Sequence, residues 1–294
     1  MLTNRMFRYD SWDVFVEHAV TRFTEQYQSR VAANPHYNLI FCLSGSVTYW
    51  VEGVPYTFSE GDALLLGYAE SYFFQAQAGA RFERVAVLFE RELAERVDPD
   101  GTLLSPFNDR QFGYGNVLHA SDFPDGLWKL ALSHLVEPGE ADPGVQVRTY
   151  AICLLQQVAA AYRRGVRNKA EKPVQSQAAK VIKYVNAHLY QLDSVEQVAE
   201  RFHISRSHLF HLFKDATGSS VWEYVTTKRL LAAREFLMTG KTPAEVCDTC
   251  GFRDYTNFFR AYKRQFGESP RQTGSRKHPL WNRGEHTEEK ETET

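Results

Sequence analysis

Two stretches near the C-terminal end of the chain repeat one pattern: a polar cap, a short helix, a turn with an apolar plug, a second cap and a second helix. The first is SVEQVAERFHISRSHLFHLFKDATG. Ser194, with Gln197 three residues on, opens a helix. Val195, Val198 and Ala199 can turn inward, and the small Ala199 lets a second helix cross closely. Ile204 plugs the turn, and Ser205 caps the helix after it. On that helix Leu209, Leu212, Phe213 and Ala216 share an inner face. Ser207, Phe210, His211 and Lys214 follow i, i+3, i+4, i+7 spacing and share the outer one. The second stretch is TPAEVCDTCGFRDYTNFFRAYKRQFGESP. Thr242 caps it, Pro243 fits the first helical position, Gly251 ends the helix, Phe252 plugs the turn and Asp254 caps again. Phe258, Tyr262 and Phe266 mark the buried side; Tyr255, Thr256, Phe259, Arg260 and Lys263 face out. Between them SSVWEYVTTKRLLAAREFLMTG reads as one long helix holding the two heads apart. A helix that presents polar and basic groups is one the major groove of DNA admits.

Charge follows the same division. Residues 1–172 carry 16 Lys and Arg against 21 Asp and Glu, residues 173–283 carry 17 against 10, and the last eleven residues hold one Lys and five Glu. A basic C-terminal region suits a polyanionic partner. No apolar run approaches the roughly 18 residues of a membrane span, and MLTNRMFRYD has no secretory stretch. The four cysteines, Cys42, Cys153, Cys247 and Cys250, therefore read as reduced thiols of a cytoplasmic protein. Cys247 and Cys250 fall on apolar positions of the second motif. With no second pair to complete a zinc site, they read as core.

The first half is of another kind. Residues 36–90 carry β-branched and aromatic residues in short runs, punctuated by Gly45, Gly53-Val54-Pro55 and Gly61-Asp62, with further strands at Tyr72–Gln77 and Phe82–Phe89. Regular short strands suggest a small sandwich or barrel. Helical spacing takes over at Leu127–Leu135 and Val145–Tyr162. The fold class is α+β, in four parts: a strand-rich domain with helices over 1–165, to which the resemblance described below gives sensing and dimerisation, a linker over 166–177, an all-α domain over 178–280 and an acidic, disordered tail over 281–294.

The region from Ala178 to Arg271 resembles the AraC/XylS family of bacterial transcription regulators. Its signatures stand as HLFKDATGSSVWEYVTTKRLLAAREFLMTG and GFRDYTNFFRAYKRQFGESP. The resemblance implies seven helices, two of them entering successive major grooves of double-stranded DNA. Carried over by position, Ser207, Phe210 and His211 read bases in the first head, and Tyr255, Thr256, Asn257 and Arg260 in the second. Arg206, Lys214, Phe259 and Lys263 complete the expected DNA-facing set. Phe210 and Phe259 stay open between groove contact and core. His203 stands where the family usually has a turn glycine, and RQTG after Pro270 lacks the usual aromatic-Arg ending.

The N-terminal strands resemble the family's cupin-like β-barrel, through LSGSVTYWVEGVPYTFSEGDALLL and SPFNDRQFGYGNVL. Cupin enzymes hold metal through clustered histidines. Here the strand-rich stretch offers His36 alone, and YAESYFF stands where a ligand often follows the turn. No metal, no cofactor and no enzymatic activity are expected; a cupin-type isomerase or oxygenase with a DNA-binding appendage is the alternative. A DNA-repair alkyl acceptor would need an activated, exposed cysteine, and none of the four is placed for it. Tyr37, Tyr49, Trp50, Tyr56, Tyr68, Tyr72, Phe73 and Phe74 make the region rich in aromatic faces. Such faces beside hydrogen-bonding groups suit a sugar effector, with Arg8, His36, Asn38, Tyr68 and Tyr72 as candidate contacts. The resemblance also implies a homodimer, through the helix at Val145–Tyr162, and RNA polymerase as a partner. That helix could equally serve only to cover the barrel.

Overall fold

The computed structural model describes residues 1–33, 35–137, 142–168 and 176–275. Most of the expected linker and all of the expected acidic tail lie outside them.

The N-terminal half is an antiparallel sandwich. Its larger sheet runs β1 (Leu2–Asp10), β2 (Val14–Arg22), β10 (Arg81–Phe89), β5 (Tyr37–Ser44), β8 (Ala63–Leu66) and β11 (Val117–Leu118). The smaller runs β3 (Tyr27–Gln28), β9 (Ser71–Ala76), β6 (Ser46–Val51) and β7 (Val54–Ser59), with β4 (Ala32–Ala33) also paired to β9. Sequence periodicity missed β1 and β2. The side chains of β1 are mostly exposed, so an edge strand of LTNRMFRYD shows no apolar alternation to read. In β5, by contrast, both faces are buried. Tyr37, Leu39 and Phe41 point to a helical layer, while Ile40 and Cys42 point between the sheets, which is why the run is apolar from Leu39 to Leu43.

Tyr49, Phe58 and Phe82 fill the space between the sheets. The Tyr49 and Phe58 rings meet edge to face at 5.4 Å, and Phe58 meets Phe82 at 6.2 Å. Four helices follow in the chain: α1 (Arg91–Glu95), α2 (Ser105–Asn108), α3 (Leu127–Val136) and α4 (Pro143–Asn168). They help cover the outer face of the larger sheet, where Trp128 stacks on Phe41 at 5.3 Å. On α4, Arg148 grips Asp13 with two hydrogen bonds of 2.8 Å. Burial alone would raise the Asp13 carboxyl, but the bonds from Arg148 and Ser11 outweigh it and hold the group below its ordinary range.

Among the described residues the C-terminal half has seven helices: α5 (Gln177–Ala187), α6 (Val195–Arg201), α7 (Arg206–Thr217), α8 (Val221–Met238), α9 (Pro243–Thr249), α10 (Tyr255–Phe266) and α11 (Pro270–Ser275). Helix α8, 18 residues, spans about 27 Å and serves two cores. Val221, Tyr224 and Val225 join the cluster of α5, α6 and α7. Leu230, Leu231, Ala233 and Leu237 join that of α9 and α10, with Cys247 and Cys250 among them.

The halves touch. Strands β6 and β7 are joined by the two-residue turn Glu52-Gly53, with Val51 opposite Val54. Both turn residues have positive φ, 49° and 78°, as a tight hairpin requires. Gly53 also has no room for a side chain, because a Cβ there would run into Ile182 of α5. The turn therefore seats against the helical half.

Candidate nucleic-acid interface and effector site

Each head is set by local chemistry. Ser205 accepts the His208 N–H at 3.1 Å, and Asp254 accepts the Asn257 N–H at 2.7 Å, so both second helices start on a side-chain cap. Both turns need a left-handed residue: His203 at φ 53° and Gly251 at φ 74°. A Cβ at Gly251 would run into the Tyr190 carbonyl, which leaves glycine as the fit there. The two motifs are braced by a residue that the pattern did not single out. Arg229 is buried on α8 and donates to the carbonyls of Leu189 (2.9 Å), Leu192 (2.6 Å) and Gly251 (2.7 Å). It ties the turn of the second head to the chain entering the first.

The structure exposes ten of the eleven residues expected to face DNA. On α7 these are Arg206, Ser207, Phe210, His211 and Lys214; on α10 they are Tyr255, Thr256, Asn257, Arg260 and Lys263. Phe259 is half-buried. Phe210 is 42% exposed and carries the Lys214 ammonium 5.2 Å above its ring, so it lies outside the core around Phe213. Arg206 pairs with Glu196 at 2.9 Å, an exposed contact that competing phosphate could displace.

The five candidate effector residues do not form one group. Arg8 stands apart on β1, over Phe15 and 4.0 Å from Asp10. Asn38 and Tyr72 meet between the sheets, where Asn38 Nδ2 donates to the Tyr72 hydroxyl at 3.5 Å. His36 pairs with Glu90 at 2.6 Å, and Tyr68 donates to the Leu231 carbonyl of α8 at 2.9 Å. His36 and Tyr68 line a cavity of about 80 Å³ between the halves, together with Glu90, Arg234, Glu235 and Met238. Of the aromatic faces, Tyr49 is interior packing, Tyr37 packs towards the helical layer, and Trp50 stacks on Phe73 at 5.9 Å. The histidine count was also short by two: His18 on β2 pairs with Glu83 at 3.0 Å, and His119, just past β11, lies 3.2 Å from Asp62. Among the described residues, no three or more His, Cys, Asp or Glu side chains are grouped to hold a metal ion.

Comparison with known proteins follows the same division. Residues 198–276 match the helix-turn-helix domain family, and residues 14–124 match the family described as regulatory protein PchR N-terminal domain. The arabinose operon regulatory protein of Escherichia coli K12 is 30% identical over 122 residues, 41% of this chain and 42% of that protein. Residues 198–276 thus form a helix-turn-helix domain of the AraC type. The Msm operon regulatory protein of Streptococcus mutans is 34% identical over 77 residues, which are 26% of this chain and 28% of that one. The HTH-type transcriptional activator RhaS of Escherichia fergusonii is 28% identical over 120 residues, 40% of this chain and 43% of that one. The matched segments thus span less than half the length of each of these relatives. No helix among the described residues is long and apolar enough to cross a membrane.

Proposed function

We propose that this AraC/XylS chain is a sequence-specific DNA-binding regulator of the cytoplasm. In this reading it activates transcription, together with RNA polymerase, when its barrel senses a small polar molecule of the carbohydrate class. The observation that carries the DNA-binding part is the pair of capped, outward-facing helices α7 and α10, joined through α8 and braced by Arg229. Relatives named as an arabinose operon regulator and a transcriptional activator support the direction and the ligand class. A homodimer is supported by large apolar side chains left in solvent on the sensing half: Leu127 and Leu130 of α3 and Val145 of α4 are each more than half exposed.

Selection of bound sequences from a random duplex pool tests the reading. Enriched sites should carry two short motifs about one helical turn apart. Affinity for them should fall steeply as salt rises, because each phosphate contact releases counterions. A pool with no enriched motif and a flat salt response would overturn it.

A further inference from the structure

Two exposed arginines stand at matching places in the two heads. Arg206 is the first residue of α7, and Arg253 directly precedes Asp254, the cap of α10. Each is held by a carboxylate from the entry to one helix, α6. Arg206 Nη1 lies 2.9 Å from Glu196 Oε1, and Arg253 Nη2 lies 2.5 Å from Asp193 Oδ1. The second pair joins one head to the other, and the backbone puts it there. Buried Arg229 holds the Leu192 and Gly251 carbonyls at 2.6 and 2.7 Å, which brings Asp193 and Arg253 within reach. The four side chains are between 45% and 73% exposed. Pairs so open to water hold weakly, so another anion can exchange into them.

In a helix-turn-helix the reading helix enters the groove by its N-terminal residues, while the helix before it crosses the phosphate backbone. Arginines at the N-terminal ends of α7 and α10 are thus placed for phosphates, and the carboxylates at α6 compete for them. We infer that Asp193 and Glu196 are specificity-determining residues: they occupy Arg253 and Arg206 in the free chain and yield them only to a duplex seated in register. The inference rests on the DNA-binding reading above. On a specific site the base contacts fix the duplex, so two phosphates displace both carboxylates together and each arginine takes its phosphate through the planar fork. On random duplex no register is held, and the pairs stay closed. Binding without sequence preference depends almost wholly on phosphate charge, so withholding two arginines weakens it more than it weakens a specific complex.

The test is titration of the full chain with two duplexes of equal length across a range of salt, one a site enriched by selection and one of random sequence. Asp193→Asn with Glu196→Gln removes both charges and keeps the side-chain shapes; at such exposed positions the unfolding midpoint should not move. Affinity for random duplex should rise about fivefold or more, that for the selected site less than about twofold, and the salt dependence on random duplex should steepen by about one to two phosphates. In a chain already carrying Arg206→Ala and Arg253→Ala, the same two substitutions should raise random-duplex affinity less than about twofold, because no arginine remains to be released. An equal rise on both duplexes overturns the inference, as does an equal rise with and without the arginines, since the carboxylates then act through net charge alone. A wild type that binds neither duplex overturns the DNA-binding reading and the inference with it. One that binds both, with no gain from the carboxylate substitutions, overturns the inference only.

Discussion

At the scale of single residues, the turn of the first head carries a measurable strain. His203 holds φ 53°, where an L-residue other than glycine, asparagine or aspartate pays roughly 1–2 kcal/mol. Glycine would relieve that strain but lose more freedom on folding. His203→Gly should therefore stabilise the domain by about 0.5–1 kcal/mol, read as a higher denaturant midpoint with unchanged slope. The same substitution should leave duplex affinity unaltered. Arg260 and Phe210 are separated by a different pair of measurements. Arg260 is exposed on α10 and can grip guanine O6 and N7. Arg260→Ala should cost about 1–3 kcal/mol at one base pair and relax preference there. Phe210 has no donor, so its groove role would be contact with a thymine methyl. Phe210→Ala should lose discrimination between thymine and uracil at one operator position while the melting temperature holds. A large loss of stability with unchanged discrimination would place Phe210 in the core instead.

Elements show what the sequence could and could not disclose. The caps at Ser205, Thr242 and Asp254 were legible because an N-cap and its partner are three residues apart. The outward faces of α7 and α10 were legible because they follow one helical period. Nothing local marks Glu52 as more than a turn residue, yet groups from two distant helices converge on its carboxylate. Lys228 Nζ lies 2.6 Å from Glu52 Oε1, the Tyr224 hydroxyl donates to Oε2, and Asn186 Nδ2 donates to Oε2 at 3.4 Å. The partners are between 134 and 176 positions away, beyond the reach of any periodicity. Lys228 and Glu52 side chains are 4% and 2% exposed, so the pair is fully desolvated. Removing one partner of such a pair leaves an unmatched buried charge and costs about 3–5 kcal/mol. Lys228→Met should lower the unfolding midpoint sharply and open the chain to protease between residues 166 and 177. The double variant Glu52→Gln, Lys228→Met should recover part of the loss. Equal protease resistance in wild type and Lys228→Met would show that the turn does not hold the halves together.

Across the whole molecule, acid should act unevenly. Buried Glu70 binds Arg110 through both oxygens and also accepts the N–H groups of Gly67 and Gly113. Burial would raise its carboxyl, but Arg110 and these donors outweigh that and hold it below the ordinary value of 4.5. Asp13 is likewise held below 3.8. A carboxyl lowered in the folded state contributes stability above its unfolded pKa and loses it as pH falls through the folded one. Both groups belong to the sandwich. The brace of the helical half, Arg229 on backbone carbonyls, does not titrate. Calorimetry below about pH 4.5 should therefore show the sandwich melting first, and a single coincident transition down to pH 2.5 would contradict this. The same division predicts how the helical half behaves alone. A fragment beginning at Gln175 keeps both cores on α8 and the Arg229 brace, so it should fold and bind duplex DNA without effector. If the full chain dimerises as proposed, the fragment should bind more weakly than it, because two linked heads raise effective concentration. It also uncovers Tyr224 and Lys228, which the β6–β7 turn shields in the full chain, so its midpoint should fall below that of the helical half in the intact protein. Circular dichroism of the fragment decides the matter. A folded spectrum with a lowered midpoint supports two units that stabilise each other across the Glu52 contact. An unfolded fragment would mean that the helical half depends on the sandwich for its fold.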